Sequence, residues 1–187
     1  MRHGLAACAA VVVLAGCGGD EPVAEPASGG APTSSPSTPP GPPSATGPLY
    51  REPASLCAAA DLRPLTELYP QVLDPIGDGP GLCRITLKSR DASLVASLDS
   101  NTFPEPSNAY YGYRGFRGDT EAYSDIQGVG TAAGWAPKDQ GIWFMAYDRN
   151  VLLIIDIKHT DPRRKLPADA PEHVARVAAG TFARLPS

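Results

Sequence analysis

Three groups of residues have types and spacings that could do chemistry. The first is Leu14-Ala15-Gly16-Cys17, small residues leading into a cysteine. This is the pattern of a bacterial lipobox, in which a signal peptidase cuts ahead of Cys17 and the thiol takes a diacylglycerol. The second is the pair Cys57 and Cys83, separated by 26 positions. The third is Tyr110, Tyr111, Tyr113, Arg114, Phe116 and Arg117, interleaved with Gly112, Gly115 and Gly118. Tyrosine rings flanked by guanidinium groups form a platform for sugar rings or grip a partner protein, since Tyr and Arg are enriched at binding hot spots. The other reading of that stretch is structural: rings packed on a sheet, with glycines allowing close approach.

Weaker constellations point to ordinary surface. Asp156, His159 and Asp161 could ligate a metal at the end of a strand, but a polar strand end is more often a solvated turn, and no metal is expected. His173 falls in the first turn of a helix, where the dipole disfavours a protonated ring; an exposed, unexceptional histidine is expected. Arg163-Arg164-Lys165 is a basic loop of the kind that is usually a solvated face. There is no GxSxG, HExxH, SxxK or GxxxxGK[ST] spacing, so the usual nucleophile, zinc and phosphate sites find no match. No catalytic residue, no enzyme activity and no cofactor are expected.

The elements that would position these residues follow from composition. Residues 1–16 have a charged start and an eleven-residue apolar core from Leu5 to Ala15, which is an export signal. As a helix that core spans only about half of a roughly 30 Å hydrocarbon layer, too short for a permanent membrane span. From Cys17 to Pro53 the chain reads as a lipidated cysteine followed by a disordered tether. Residues 18–53 hold ten of the 21 prolines and no basic residue before Arg51. Such a stretch cannot bury enough apolar surface to offset its conformational entropy. Stretched as polyproline, its 36 residues reach on the order of 100 Å. Two PxxP patterns, Pro36 to Pro39 and Pro40 to Pro43, also fit a recognition peptide, as any proline-rich stretch does.

Residues 54–187 remain as one domain, with 14 basic against 16 acidic residues and a single core. The whole chain carries a net charge of −4, which gives no electrostatic reason to expect nucleic acid. With Cys8 removed in the signal and Cys17 lipidated, Cys57 and Cys83 are left to form a disulfide in an oxidising compartment. The chain-entropy estimate for that loop is about 3.5 kcal/mol. A catalytic thiol is the rival reading, but only His159 and His173 remain after processing to serve as its base.

Inside the domain, Ser55 or Asp61 caps one or two short helical pieces, with Pro64 in a first turn and Leu65, Leu68 and Tyr69 on one face. The turn-rich stretch Asp74 to Gly81 follows, then a strand at Leu82 to Lys88 and another at Ser93 to Asp99. The clearest element is a hairpin, Gly141 to Tyr147 and Val151 to Lys158, turning at Asp148-Arg149-Asn150. Asp169 and Glu172 resemble a capping box, and Val174, Val177, Ala178, Thr181, Phe182 and Leu185 form an amphipathic stripe that Pro186 ends. The Tyr- and Gly-rich stretch 110–123 stays open between helix and irregular strand, since each Gly costs a helix about 1 kcal/mol relative to Ala. The fold class expected is α+β: one domain, an antiparallel β-sheet with N-terminal and C-terminal helices packed on it.

In order, the lipobox, the tether, the Cys57 and Cys83 pair, the segment Ile126-Gln127-Gly128-Val129-Gly130-Thr131-Ala132-Ala133, the hairpin and the helix ending Phe182-Ala183-Arg184-Leu185 are familiar. The chain resembles the actinobacterial cell-surface lipoproteins of the family called domain of unknown function 3558 over most of residues 54–187. That resemblance implies a compact domain with an antiparallel sheet and helices on one face, and no activity. Such domains often carry a third mid-domain cysteine that this chain lacks. The expected role is a binding or interaction module outside the cytoplasmic membrane, lipid-anchored, in an exporting, high-GC Gram-positive cell. Its partners would be the membrane, through the diacylglycerol, and an envelope protein, lipid or glycan. The alternative is a carrier that holds a small apolar or wall-derived ligand between sheet and helices.

Overall fold

A computed structural model describes residues 41–187. The expected signal peptide, with Cys8, the expected lipidation site Cys17 and the part of the expected tether up to Pro40 lie outside the described residues. The chain enters through exposed residues 41–49, and packing begins at Tyr50, four positions ahead of the boundary expected from composition. The Tyr50 N–H donates to Asn150 Oδ1 at 2.8 Å, and its hydroxyl donates to Asp148 at 2.7 Å. The Arg149 guanidinium lies 3.5 Å over the Tyr50 ring. These contacts pin the chain's entry to the tip of the hairpin.

Two short helices follow, α1 (Leu56–Ala59) and α2 (Arg63–Leu68). Ser55 caps α1, its Oγ accepting from the Ala58 N–H. Asp61 caps neither helix. Its carboxylate pairs with Arg63 at 2.8 Å and Arg184 at 3.1 Å, and the Arg63 hydrogen bond, ahead of the Arg184 charge, holds its pKa down at about 2. Two-residue strands β1 (Gln71–Val72) and β2 (Gly77–Asp78) lie along one edge of β3 (Leu82–Lys88), which pairs with β4 (Ser93–Thr102). Then come helix α3 (Pro106–Asp119), strands β5 (Ser124–Ile126), β6 (Ala132–Lys138), β7 (Gly141–Asp148) and β8 (Val151–His159), and helix α4 (Ala170–Phe182). All pairings are antiparallel, in the order β1-β3-β4-β8-β7-β6-β5, with β2 beside β1 on β3. This is the α+β domain expected, with β4 running three residues longer and the hairpin turn tightened to Arg149 and Asn150.

Side chains alternate across a strand, so each strand feeds two faces. Ile85, Leu87, Leu94, Ala96, Leu98, Phe144, Leu153, Ile155 and Ile157 project to one face and meet Leu56, Leu65, Val174, Val177 and Phe182 of α1, α2 and α4. The Cys57–Cys83 disulfide ties α1 to β3 on this side, across a Cα separation of 4.8 Å. The other face is covered over only part of its area, by α3. The sequence of β8 records where that cover stops. Val151 to Ile155 is apolar at every position because both faces are buried there, and then Asp156 and Lys158 appear on the α3 side, beyond the helix. Among the described residues no helix is long and apolar enough to cross a membrane.

Two local expectations differ. Asp169 occupies the N-cap position of α4 but makes no side-chain cap hydrogen bond; its carboxylate lies 3.4 Å from His173 Nε2 instead. His173, expected to be exposed, is buried, with Nδ1 at 2.7 Å from the Pro64 carbonyl. The docking of α2 against α4 covers it, and nothing within α4's own sequence announces that neighbour.

Candidate functional site

The stretch left open between helix and strand is a helix. Pro106 sits at the start of α3, where its missing N–H costs nothing. Three glycines weaken it, and tertiary contacts hold it: Ala109, Tyr113 and Phe116 pack on Met145, Tyr147 and Leu152 of β7 and β8. At Gly112 the helix comes so close to the sheet that a Cβ would stand 2.9 Å from Leu152 Cδ2. Gly115 and Gly118 face open space.

This divides the predicted binding residues. Tyr113 and Phe116 belong to the core. Phe116 meets the Trp143 ring edge-on at 4.7 Å, and Tyr113 lies 5.1 Å from the Tyr147 ring. The Tyr113 and Tyr123 hydroxyls hydrogen-bond each other, and burial raises both their pKa values. Tyr111 is 57% exposed and rests edge-on against Tyr110. Tyr110, Arg114 and Arg117 stand on the remaining side of the helix and wall a groove.

The groove has a volume of about 550 Å³ and runs between α3 and strands β6 and β7, lined by Tyr110, Tyr113, Arg114, Arg117, Ala132 and Tyr147, with Gly118 at its rim. Tyr110 meets the Tyr147 ring edge-on at 6.0 Å. Burial also raises the Tyr147 phenol's pKa. Arg117 pairs with Asp125 at 2.9 Å and stacks over Tyr123. Arg114 donates to the Tyr110 hydroxyl at 3.3 Å, with its guanidinium 5.7 Å from that ring, and has no carboxylate partner among the described residues. Chemically the arrangement offers aromatic walls, the Tyr147 hydroxyl and a guanidinium with no carboxylate partner among the described residues. Tyr147 and Ala132 are the members that reading the helix alone misses. The signal for Tyr147 was present: Trp143, Met145 and Tyr147 alternate along β7, marking a second apolar face that needed a cover.

Two other hollows lack this combination. One, of about 430 Å³, lies between the β6–β7 turn and the loop before α4, lined mainly by Trp135, Ile142, Leu166 and Pro167 with Lys138 and Lys165. The other is a shallow dip of about 200 Å³ on the uncovered part of the sheet, lined by Arg84, Val95, Ser97, Asp156 and Lys158. There Asp156 accepts from Lys138 Nζ at 2.7 Å, and burial, with the Asp156 charge nearby, raises the Asp99 carboxyl.

The strand-end trio is not brought together. Asp156 points to the α3 side of the sheet and His159 to the opposite side, where its Nε2 lies 2.9 Å from the Tyr69 hydroxyl. Among the described residues no cluster of His, Cys, Asp or Glu could hold a metal.

No protein-family model, no curated protein and no solved structure matches the chain.

Proposed function

We propose that this chain is a lipid-anchored domain, held outside the membrane through Cys17, that binds an envelope component in the groove between α3 and strands β6 and β7. Membership of the domain of unknown function 3558 family belongs to the same proposal. The observation that carries the reading is the groove itself: about 550 Å³, inside the roughly 300–1,000 Å³ of ligand sites, with an apolar body and a few converging polar groups. A carrier cavity on the opposite face of the sheet, under α1, α2 and α4, draws less support. The residues that face one another between the sheet and α1, α2 and α4, such as Leu56, Leu65, Phe144, Leu153 and Val174, are fully buried against each other.

A non-enzymatic role fits the domain's candidate nucleophile and bases. Both domain cysteines are tied in a disulfide. His159 and His173 are each buried against backbone carbonyls, of Ser93 and Lys165 in one case and Pro64 in the other.

The test is native mass spectrometry of the lipoprotein released from its own membranes in mild detergent. The expected result is a non-covalent mass retained by the wild type and lost from Tyr110→Ala and Arg114→Ala. A wild type that carries no added mass, or variants that keep it, would overturn the reading.

A further inference from the structure

We propose that the ligand of the α3 groove is an acidic carbohydrate, a short run of sugar rings bearing a carboxylate or a phosphate. This rests on the reading of the groove as the ligand site. Three observations support it. Tyr147 lines the groove with only 5% of its surface exposed, and its hydroxyl, which takes no hydrogen-bond partner among the described residues, is not buried but reached by solvent at the groove wall. A hydroxyl at such a wall can exchange water for a hydrogen bond to a ligand. Arg114, on the facing wall, has no carboxylate to balance it among the described residues, whereas Arg117 is neutralised by Asp125. The third is the electron-rich faces of Tyr110, Tyr113 and Tyr147, which suit the C–H faces of a sugar ring.

The chemistry discriminates among ligand classes. A purely apolar ligand would strip water from the Arg114 guanidinium and the Tyr147 hydroxyl and return no hydrogen bond to either. A folded protein needs about 800 Å² on each side, with an apolar centre. Of the large apolar side chains exposed on this domain, Tyr111 is the member on α3, too little to form that centre. A sugar chain offers hydroxyls at its edges for Tyr147 and apolar C–H faces for the rings. One acidic group would meet Arg114, and two oxygens on one anion allow a bidentate bond to the guanidinium fork.

The experiment is isothermal titration of the full-length mature lipoprotein, in detergent micelles, with hexagalacturonate, phosphorylated maltohexaose, maltohexaose and inorganic phosphate. At least one charged hexamer is expected to bind about tenfold or more tightly than maltohexaose and than phosphate alone. Which charged hexamer wins tells carboxylate from phosphate. Arg114→Gln is expected to reduce the charged hexamer to the affinity of the neutral one. Tyr147→Phe should weaken it about fivefold with the melting temperature unchanged. Arg84→Gln, on the uncovered part of the sheet, should change nothing. If the charged hexamers bind no better than maltohexaose, or Arg114→Gln has no effect, the carbohydrate proposal falls. The native mass spectrum then separates the two ideas: a mass that still depends on Tyr110 leaves the groove as a site for another ligand, and a bare protein sinks both.

Discussion

The two faces of the sheet solve different problems with neighbouring residues of the same strands. On the face under α1, α2 and α4, Leu153 is 0% exposed among aliphatic partners, and a disulfide holds the cover in place. On the face under α3, Leu152 is 6% exposed among tyrosines, and the cover is a glycine-bearing helix that leaves a groove beside it. Adjacent side chains of one strand thus enter an aliphatic core and a ring-lined layer with a groove beside it. The difference teaches that burial alone does not locate function. Both faces hold a buried cluster, and among the described residues it is the α3 cluster that sets a groove with Arg114 and the Tyr147 hydroxyl beside its rings.

Substitutions of those neighbours are the strongest way to break the comparison. Leu153→Ala should destabilise the domain by about 3–5 kcal/mol, because the surrounding aliphatic side chains collapse little into the space. Leu152→Ala should cost about 2–3 kcal/mol and also disturb ligand retention, since its side chain supports α3 at Gly112. Urea unfolding of both variants measures the gap, and equal losses would argue against two distinct layers. Next in size is the staple. Replacing Cys57 and Cys83 together by Ser should lower stability by about 2–4 kcal/mol, read as a lower urea midpoint, with the α3 groove still competent to bind.

A smaller effect appears in acid. Asp61, at the joint of α1, α2 and α4, has a folded pKa of about 2 against an ordinary value of 3.8, chiefly through the Arg63 hydrogen bond. A depressed pKa contributes stability that is present above pH 3.8 and is lost as pH falls toward about 2. With its cationic partners exposed to solvent, that contribution is on the order of 1 kcal/mol. Asp61→Asn should flatten this part of the stability profile and leave the α3 side unaffected; an unchanged acid slope would refute the assignment. Smallest of all, Gly115→Ala should stabilise the domain by about 0.5–1 kcal/mol. Its Cβ would meet open space, and Ala favours the helix. A thermal melt that moves downward would mean that Gly115 is also a close-packing position.

The contrast between the faces was only half legible in the sequence. The β7–β8 hairpin, the β3 strand and the stripe of α4 were plain because their apolar periodicity agrees with the structure they adopt. The disulfide was legible from the expectation of export, with Cys8 assigned to the signal and Cys17 to a lipid, which leaves Cys57 and Cys83 as the pair. The α3 helix was not, because its glycines argue against a helix and its support comes from Met145, Tyr147 and Leu152, distant in sequence. Strands β5 and β6 were missed for a related reason. Ala132-Ala133-Gly134-Trp135-Ala136-Pro137 has weak strand propensity, and its conformation is imposed by pairing with β7. The candidate site shared that fate: its helical residues were singled out from their types, while Tyr147 and Ala132 become part of it only through that pairing.

The most direct test of the proposed site is a map of backbone amide chemical shifts in the full-length protein, titrated with the polysaccharide fraction of its source cells. The account predicts saturable shifts at Tyr110, Arg114, Ala132 and Tyr147, and none along β3 beneath α1. Shifts gathered instead around Trp135 and Leu166, or no shifts anywhere, would contradict it.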